Sequence, residues 1–185
     1  PKKNQKYYSE KIIYFPDTYQ VRDSSQKISK KKFTRNELDL PKKGIVLCCF
    51  NQSYKITPKV FKIWIRLLKN IKGSVLWLLE DNLTATKNLK KEAELRGVKS
   101  ERIIFAKRLP LSDHLARHKV ADLFIDTFPY TAHTTCSDAL WSSLPVITRM
   151  GESFASRVAG SILSAIDLKE FEEEFQLEET DELTY

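Results

Sequence analysis

Three side chains that can donate hydrogen bonds stand where an apolar run gives way to a helical pattern. They are His133, Thr134 and Thr135, within the segment YTAHTTCSDALW. The first backbone N–H groups of a helix lack partners and the helix dipole places positive charge there, so this end attracts anions. Small hydroxyl side chains let a phosphate approach closely and still donate to it. We therefore interpret the segment as a candidate phosphate site; the alternative is that Thr134 is only an N-cap.

Four further side chains extend this candidate site. Asp138 follows one helical turn later and is suited to accept from a sugar hydroxyl, or serves only as a favourable first-turn charge. Lys55 follows the first clear apolar run, where it would neutralise a diphosphate or lie solvated in a loop. His114 and Arg117 are three residues apart and share a helix face. His118 lies four residues from His114, a spacing found in metal sites, but no third ligand is evident and we predict no metal.

Several other kinds of site are disfavoured. The chain has only five glycines and lacks the GxGxxG pattern of dinucleotide-binding folds, which argues against an NAD-dependent oxidoreductase. It shows no GxSxG elbow, no Ser-His-Asp order and no pair of carboxylates at a hydrolytic spacing. We therefore predict that any catalysis is not hydrolysis by a self-contained site.

The elements that must position these residues alternate along the chain from residue 44 onward. Short apolar runs that predict strands are separated by helical patterns; the runs are GIVLCCF, SVLWLLE, RIIFA, ADLFID and PVIT. Such alternation predicts an α/β fold, with a Rossmann-like parallel sheet, helices on both faces and right-handed crossovers. Ligands of open parallel sheets bind beyond the carboxyl ends of the strands, which is where the loops carrying the candidate residues fall.

The helix starts have recognisable local signals. Thr57 is a candidate N-cap with Pro58 as the first helical residue, and apolar side chains then recur at helical spacing. Gly97 is expected to end the second helix. The other candidate N-caps are Thr84, Ser112 and Ser153.

Charge divides the 185-residue chain into three parts. Residues 1–43 hold 12 lysine and arginine and five acidic residues, and we predict a basic linker, exposed apart from one short strand in KIIYFP. Residues 44–168 form the patterned domain; their net positive charge suits an anionic ligand, although solvated helix faces would carry the same charge. Residues 169–185 hold eight acidic residues and one lysine, and we predict a frayed helix or a disordered tail. Because the chain begins with Pro1, we expect it to be a piece of a longer protein.

Composition also bears on partners and compartment. No apolar run approaches the ~20 residues needed to span a bilayer, so we predict no membrane association. The basic runs KKNQK and KISKKK lie outside the patterned domain without an RNA-binding signature, so we predict no nucleic-acid partner. Cys48, Cys49 and Cys136 are an odd number of cysteines without a CxxC motif, which indicates reduced thiols and a cytoplasmic protein.

Several separated motifs resemble one known family. The segments FNQSYKITP, RIIFAKRLPLSDHLARHKVADLFIDTFPYTAHTTCSDALW and GESFASRVAGS are similar to the carboxyl-terminal lobe of O-linked N-acetylglucosamine transferase and its bacterial and plant SPINDLY-like relatives. The resemblance is collinear from about Tyr8 to Leu168. YSEKIIYFPDTYQ resembles the family's segment that closes the amino-terminal lobe and leads into the second lobe.

The resemblance implies a GT-B glycosyltransferase, whose two Rossmann-like lobes hold UDP mainly in the second. Such enzymes transfer a sugar from a UDP-sugar, here UDP-N-acetylglucosamine in the first place, to Ser or Thr hydroxyls of proteins. They invert the anomeric carbon without a metal, so we expect no cofactor beyond the UDP-sugar co-substrate. The chain would then be the donor-binding lobe of a larger enzyme with tetratricopeptide repeats. The missing first lobe would hold the acceptor groove and any general base.

The resemblance also assigns roles to nine residues. Gln52 and Lys55 match the pair that contacts the diphosphate. Lys55 is the implied catalytic residue, because it would offset the charge building on the leaving UDP. Asp138 matches a ribose ligand, and Leu109 lies where a backbone group reads uracil. The remaining implied donor-binding residues are the diphosphate cradle His133, Thr134 and Thr135, the uracil-side Arg117 and the donor-pocket residue His114.

The chain departs from the family pattern at two places. Animal enzymes carry a lysine where this chain has Leu111, which favours a bacterial-type member, and the acidic end stops before the family's last helices. We expect the isolated lobe to bind UDP weakly and to catalyse nothing measurable. The alternatives are a non-catalytic nucleotide-binding module, or a related protein N-glucosyl- or O-fucosyltransferase.

Overall fold

Strands and helices alternate in the computed structural model, which describes residues 2–168 and 172–173. The strands within these residues are β1 (Val46–Cys49), β2 (Val75–Leu79), β3 (Ile103–Ala106), β4 (Leu123–Ile125), β5 (Val146–Arg149) and β6 (Glu172–Glu173). The α-helices are α1 (Pro58–Asn70), α2 (Leu83–Leu95), α3 (Leu111–Arg117), α4 (Thr134–Trp141) and α5 (Val158–Ser164). The predicted α/β class is confirmed.

All the paired strands run parallel, in the order β3-β2-β1-β4-β5-β6. The chain builds outward from β1 to β3, then returns to the other side of β1 to add β4 and the strands beyond it. The direction of winding therefore reverses between β1 and β4, which leaves a crevice beyond their carboxyl ends. Helix α4 contacts both α3 and α5, and the rule that such crossovers are right-handed puts α1 and α2 on the opposite face of the sheet.

The centre of the sheet is buried on both faces. All four residues of β1 and the first four of β2 are buried, as continuous apolar runs predict for parallel strands under two layers of helices. The neighbours Cys48 and Cys49 point to opposite faces, and both are nevertheless fully buried. Together with the buried Cys136 they are free thiols.

Helix α1 begins where the sequence predicts. The Thr57 side chain accepts a hydrogen bond from the backbone N–H of Val60, and Pro58 opens the first turn. The buried side chains of α1 recur at helical spacing and belong to the core; they are Val60, Phe61, Trp64, Ile65 and Leu68.

The predicted cap of α2 is wrong. Asn82, rather than Thr84, is the N-cap, and its side chain accepts from the backbone N–H groups of Thr84 and Ala85. Asparagine competes well for this position, so the helix starts earlier than the predicted cap. Gly97 follows the end of α2 with φ of 75°, as predicted for a residue after a helix.

Two further predicted caps are also wrong. Helix α3 begins at Leu111 after Pro110, so Ser112 lies inside its first turn and caps nothing. Helix α5 begins at Val158, whereas Ser153 lies in a preceding turn, where its hydroxyl accepts from the backbone N–H of Ser156. A serine favours a turn as readily as a helix start, so its identity alone does not distinguish them.

The amino-terminal part is largely exposed, as we predicted, but one stretch of it is hydrogen-bonded to the helices. The segment KIIYFP forms no strand. Residues 18–29, here called the strap, lie across α5, α4 and α3 in turn. Thr18 bonds Ser161 through their hydroxyls at 2.9 Å, and the Ser29 backbone N–H donates to the Ser112 carbonyl at 3.0 Å. Thr18, Arg22 and Ser29, which bond to the helices, are thus partly buried, while other strap residues are exposed.

The acidic end is described only at residues 172–173. These form β6, which pairs parallel with β5 through Thr148 opposite Glu172 and Arg149 opposite Glu173. The predicted helix or disorder is therefore wrong for these two residues, and the rest of residues 169–185 lies outside the described part. Among the described residues, no helix is both long enough and apolar enough to cross a bilayer.

Candidate functional site

A cavity of about 540 Å³ opens in the crevice beyond the carboxyl ends of β1 and β4. Its walls come from the loops after β1, β3 and β4, from the end of β2, and from helices α3 and α4. All nine residues that the resemblance implies lie on these walls: Gln52, Lys55, Leu109, His114, Arg117, His133, Thr134, Thr135 and Asp138. The structure therefore brings the nine together, while the role of each remains a prediction.

The start of α4 forms one wall of the cavity. His133 occupies the N-cap position without a side-chain cap bond, and Thr134 is the first helical residue. The alternative that Thr134 is only an N-cap is therefore wrong. The Thr134 side chain is exposed at the cavity, whereas the Thr135 hydroxyl donates to Asn51 Oδ1. Thr134 thus has a hydroxyl available for a ligand, and Thr135 ties the helix to the end of β1.

A buried polar network holds this wall in place. Asn51 Nδ2 donates to Asp126 Oδ1 at 3.0 Å and to Thr127 Oγ1 at 2.7 Å. Asp126 Oδ1 also accepts from the backbone N–H of Ala132 at 2.8 Å, and its Oδ2 accepts from Thr148 Oγ1 at 2.7 Å. Burial raises the pKa of Asp126 to about 6 although these donors favour the carboxylate. The network connects the ends of β1, β4 and β5 to α4.

Lys55 carries its charge to the loop before α4. Its Nζ donates to the Thr131 carbonyl at 3.0 Å and lies 3.8 Å from the centre of the Tyr130 ring. Burial lowers the pKa of Lys55 from its usual value, although the Asp126 carboxylate partly opposes this. The ammonium group is thus half-buried beside the same helix start that carries Thr134, where it adds to the positive end of the helix.

His114 and Arg117 form a second wall. Arg117 is almost fully buried, donates to the Lys107 carbonyl at 2.5 Å and to His114 Nδ1 at 2.6 Å, and stacks over Phe50 at 4.6 Å. Burial lowers the pKa of Arg117 to about 10, and burial with the neighbouring charge lowers that of His114 to about 3. Since an arginine only donates, His114 Nδ1 must accept, so this neutral ring carries its proton on Nε2.

His118 does not join His114 in a metal site. Its Nδ1 lies 2.8 Å from the His114 carbonyl, to which it donates, and the two rings meet edge to face. Burial lowers the pKa of His118 to about 4. Within residues 2–168 and 172–173, no three histidine, cysteine, aspartate or glutamate side chains are arranged to hold a metal ion.

Gln52 and Leu109 reach the cavity from two loops. Gln52 is exposed and lies just before a 3-10 turn, and its carbonyl accepts from the backbone N–H of Lys55 at 3.0 Å. Leu109 is half-buried in the loop between β3 and α3. Leu111, where the family pattern differs, also lines the cavity and is 47% exposed. An apolar side chain therefore stands where a lysine would add charge.

Asp138 has a partner that sequence reasoning missed. It is only 6% exposed, and its Oδ1 accepts from Arg22 Nη1 of the strap at 2.6 Å. Burial raises the pKa of Asp138, and the hydrogen bond and charge of Arg22 lower it in part. A second strap residue, Tyr19, places its hydroxyl 2.9 Å from His133 Nδ1.

Sequence reasoning also missed several other members of the site. Asn51 follows the predicted strand GIVLCCF directly and Asp126 is the last residue of the predicted strand ADLFID, and these positions were a signal that they face the crevice. Tyr130 and Arg108 lie in loops that were identified, but nothing in their local pattern distinguishes them from solvated residues. Arg22 had no local signal, because it is 116 positions from Asp138.

Comparison with known proteins agrees with this geometry. Residues 30–181 match the family described as glycosyl transferase family 41. The chain is 36% identical over 166 residues to the probable UDP-N-acetylglucosamine--peptide N-acetylglucosaminyltransferase SEC of Arabidopsis thaliana, covering 87% of the chain and 17% of that protein. It is 39% identical over 137 residues to the UDP-N-acetylglucosamine--peptide N-acetylglucosaminyltransferase of Caenorhabditis elegans, covering 74% of the chain and 12% of that protein.

A solved structure shows the same fold. A mutant of the Thermobaculum terrenum O-GlcNAc transferase superposes with a TM-score of 0.68 at 32% sequence identity, covering 72% of the chain and 26% of that protein. The chain thus spans less than a fifth of the two curated relatives and about a quarter of the solved one.

Proposed function

The chain belongs to glycosyl transferase family 41, and from this membership we propose that it is the UDP-sugar-binding lobe of a protein O-glycosyltransferase. The observation that carries the proposal is the convergence of nine implied donor-site residues on one cavity beyond the carboxyl ends of the strands. The names of the relatives specify UDP-N-acetylglucosamine and peptide, so we propose the same donor and a protein acceptor here.

Two groups would stabilise the leaving UDP. Lys55 holds its ammonium group beside the loop that leads into α4, and the start of α4 offers backbone N–H groups and the Thr134 hydroxyl. Negative charge grows on the diphosphate as its bond to the sugar breaks, and groups held in place beforehand stabilise that charge without reorganising. These groups support metal-independent transfer, with inversion when an acceptor hydroxyl displaces UDP in a single step.

Other residues of the cavity suit the nucleoside. The neutral His114 ring offers an apolar face and an Nε2–H donor, and the buried Arg117 holds it in that state. The Asp138 carboxylate would accept from the ribose hydroxyls, and the backbone at Leu109 would contact uracil. A nucleotide is therefore the ligand class that matches both the basic and the acidic groups of the cavity.

The acceptor site and the general base are proposed to lie elsewhere in a longer polypeptide. The chain spans 17% and 12% of its two plant and nematode relatives, so most of such an enzyme is outside it. An amino-terminal lobe and tetratricopeptide repeats would supply the acceptor groove. We therefore propose that the chain alone binds UDP weakly and does not turn over, and that no cofactor beyond the UDP-sugar is needed.

Calorimetric titration with UDP tests the proposal. The chain should bind UDP, and a Lys55→Ala, Thr134→Ala double variant should lose at least tenfold in affinity, because charge-assisted hydrogen bonds contribute about 1.5–3 kcal/mol each. Lys59→Ala is the matched control: Lys59 is exposed in the first turn of α1 and is not among the residues that line the cavity. It removes the same charge and should leave the affinity unchanged.

Two results would contradict the proposal. If the double variant and the control weaken binding equally, the diphosphate is not held at Lys55 and α4. If the folded chain ignores UDP, the titration is repeated on a longer polypeptide that includes the first lobe. Binding there would mean that both lobes form the site, and its absence would sink the assignment.

A further inference from the structure

We infer that Arg22 of the strap is the positioning residue for Asp138 at the nucleotide site. The inference rests on the proposed function, because it concerns how the chain would read the sugar of its nucleotide. It goes beyond that function by assigning a role to a segment outside the sheet. The strap was expected to be a solvated linker, and the residues implied by the family resemblance include none of its side chains.

Asp138 needs a cationic partner to act as an acceptor. The residue is 6% exposed, and a buried carboxylate is costly unless it is paired and hydrogen-bonded. Arg22 is the cation that pairs with it, at 2.6 Å. Burial alone raises the pKa of Asp138, and Arg22 opposes that rise through its hydrogen bond and its charge. Loss of Arg22 would raise the pKa of Asp138 further and leave the carboxylate that accepts from sugar hydroxyls less favoured.

Arg22 is itself held in one orientation. Its Nη1 donates to Asp138 Oδ1 and its Nη2 donates to Gln26 Oε1 at 3.0 Å. The guanidinium lies over the Trp141 ring at 5.2 Å, and Trp141 Nε1 donates to the Gln26 carbonyl at 3.2 Å. These contacts tie Oδ1 of the carboxylate to the strap. Oδ2 has no protein partner among the described residues, so it is left to accept from a ligand.

Both sides of Arg22 are anchored to the lobe. Before it, Thr18 bonds Ser161 of α5 and Tyr19 bonds His133 at the start of α4. After it, the Ser29 backbone N–H donates to Ser112 in α3. The strap is therefore seated on three helices, and Arg22 is presented from a fixed backbone rather than from a loose arm.

The chemistry predicts a selective effect. If Arg22 acts through Asp138, its loss should weaken recognition of the ribose hydroxyls and leave recognition of the diphosphate largely intact. A general loss of positive charge would instead weaken every UDP analogue equally. UDP and 2′,3′-dideoxy-UDP separate these cases, because they share the diphosphate and the base and differ only in the hydroxyls.

The experiment titrates both nucleotides into the chain and three variants. Arg22→Ala should lower UDP affinity about tenfold and dideoxy-UDP affinity less than threefold, since each lost hydrogen bond to a charged group costs about a factor of ten. Arg22→Lys keeps the positive charge but not the two separate N–H donors. It should therefore retain part of the UDP affinity that Arg22→Ala loses. Lys27→Ala removes the same charge from an exposed position of the strap and should change neither affinity.

The outcomes separate this inference from the proposed function. Equal losses for both nucleotides, or tighter UDP binding by Arg22→Ala, would overturn the inference while wild-type UDP binding upholds the function. A folded wild-type chain that binds neither nucleotide would overturn both. Should Arg22→Ala not fold, Arg22→Lys and Asp138→Asn carry the test. A chain that carries both substitutions should show the same ratio of UDP to dideoxy-UDP affinity as Asp138→Asn alone. Additive decreases in this ratio would contradict the inference.

Discussion

His114 and His118 stand one helical turn apart, and their hydrogen bonds demand opposite tautomers. Arg117 donates to His114 Nδ1, so the His114 proton must reside on Nε2. His118 Nδ1 faces the His114 carbonyl, which only accepts, so the His118 proton must reside on Nδ1. Burial keeps both rings neutral. A single buried arginine thus determines which nitrogen of His114 is presented at the cavity.

Nitrogen-15 NMR of the histidine rings should detect the two tautomers. At pH 7, we expect His114 as the Nε2–H form and His118 as the Nδ1–H form, because their partners are a donor and an acceptor respectively. His114 should remain neutral at pH 5, since burial and Arg117 lower its pKa to about 3. Each ring serves as the internal control for the other, and the same tautomer in both would refute the hydrogen-bond assignment.

At the scale of elements, helix starts were the least predictable feature. Thr57 was identified as a cap because threonine is followed by proline and an apolar face, and all three signals agree. In α2, Asn82 and Thr84 are both suitable residues two positions apart. Local preference does not choose between them. The choice depends on where the preceding strand β2 ends and how the loop returns to the sheet.

Alanine substitutions can measure which residue caps α2. Asn82→Ala should lower the free energy of unfolding by about 1 kcal/mol, because two backbone N–H groups lose their acceptor. Thr84→Ala should change it by less than about 0.5 kcal/mol, since Thr84 is exposed inside the first turn. Urea denaturation of both variants beside the wild type gives the comparison, and a larger cost for Thr84→Ala would contradict the observed cap.

At the scale of the whole molecule, the sheet order creates the site. Because the winding reverses between β1 and β4, the loops after these strands separate and leave room for a ligand. Titratable groups accumulate beneath that crevice, among them the buried Arg117 and His118 and the partly buried Asp126. They are held in their native charge states by burial, so stability must depend on pH.

Acid should destabilise the protein partly through His118. Its pKa is about 4 when folded against a usual 6.5, so the unfolded chain binds a proton first as pH falls below 6.5. Stability is therefore lost over this window. Between pH 7.5 and pH 5, the wild type should lose about 2 kcal/mol more than His118→Asn, which keeps a donor for the His114 carbonyl.

Asp126, whose pKa is raised to about 6, changes stability with pH in the opposite direction. The folded state takes up that proton as pH falls through 6, while the unfolded carboxyl stays ionised until about 3.8, so stability is gained. Because Asp126 is present in both proteins, the difference between wild type and His118→Asn isolates the histidine. Urea unfolding of both proteins at the two pH values measures this difference. If wild type and His118→Asn lose equal free energy of unfolding, His118 is already charged or exposed.

The sequence by itself determined the α/β class, the strands β1 to β5, the buried face of α1 and the loops that carry the candidate site. These features depend on local patterns: continuous apolar runs, helical spacing, and the rule that parallel sheets bind at one edge. The nine implied residues came from motif resemblance, and the same rule explains why they converge.

Only the tertiary structure decided which side chains meet across long separations. Arg22 and Asp138 are 116 positions apart, and Asn51 and Asp126 are 75 apart. Neither pair has a local periodicity, because each contact exists only after the strap and the strands have packed. The same packing ties the strap, which the sequence presents as a linker, to helices α3, α4 and α5. Local sequence patterns specify the elements, whereas the partners of buried charges are specified by the packing of those elements.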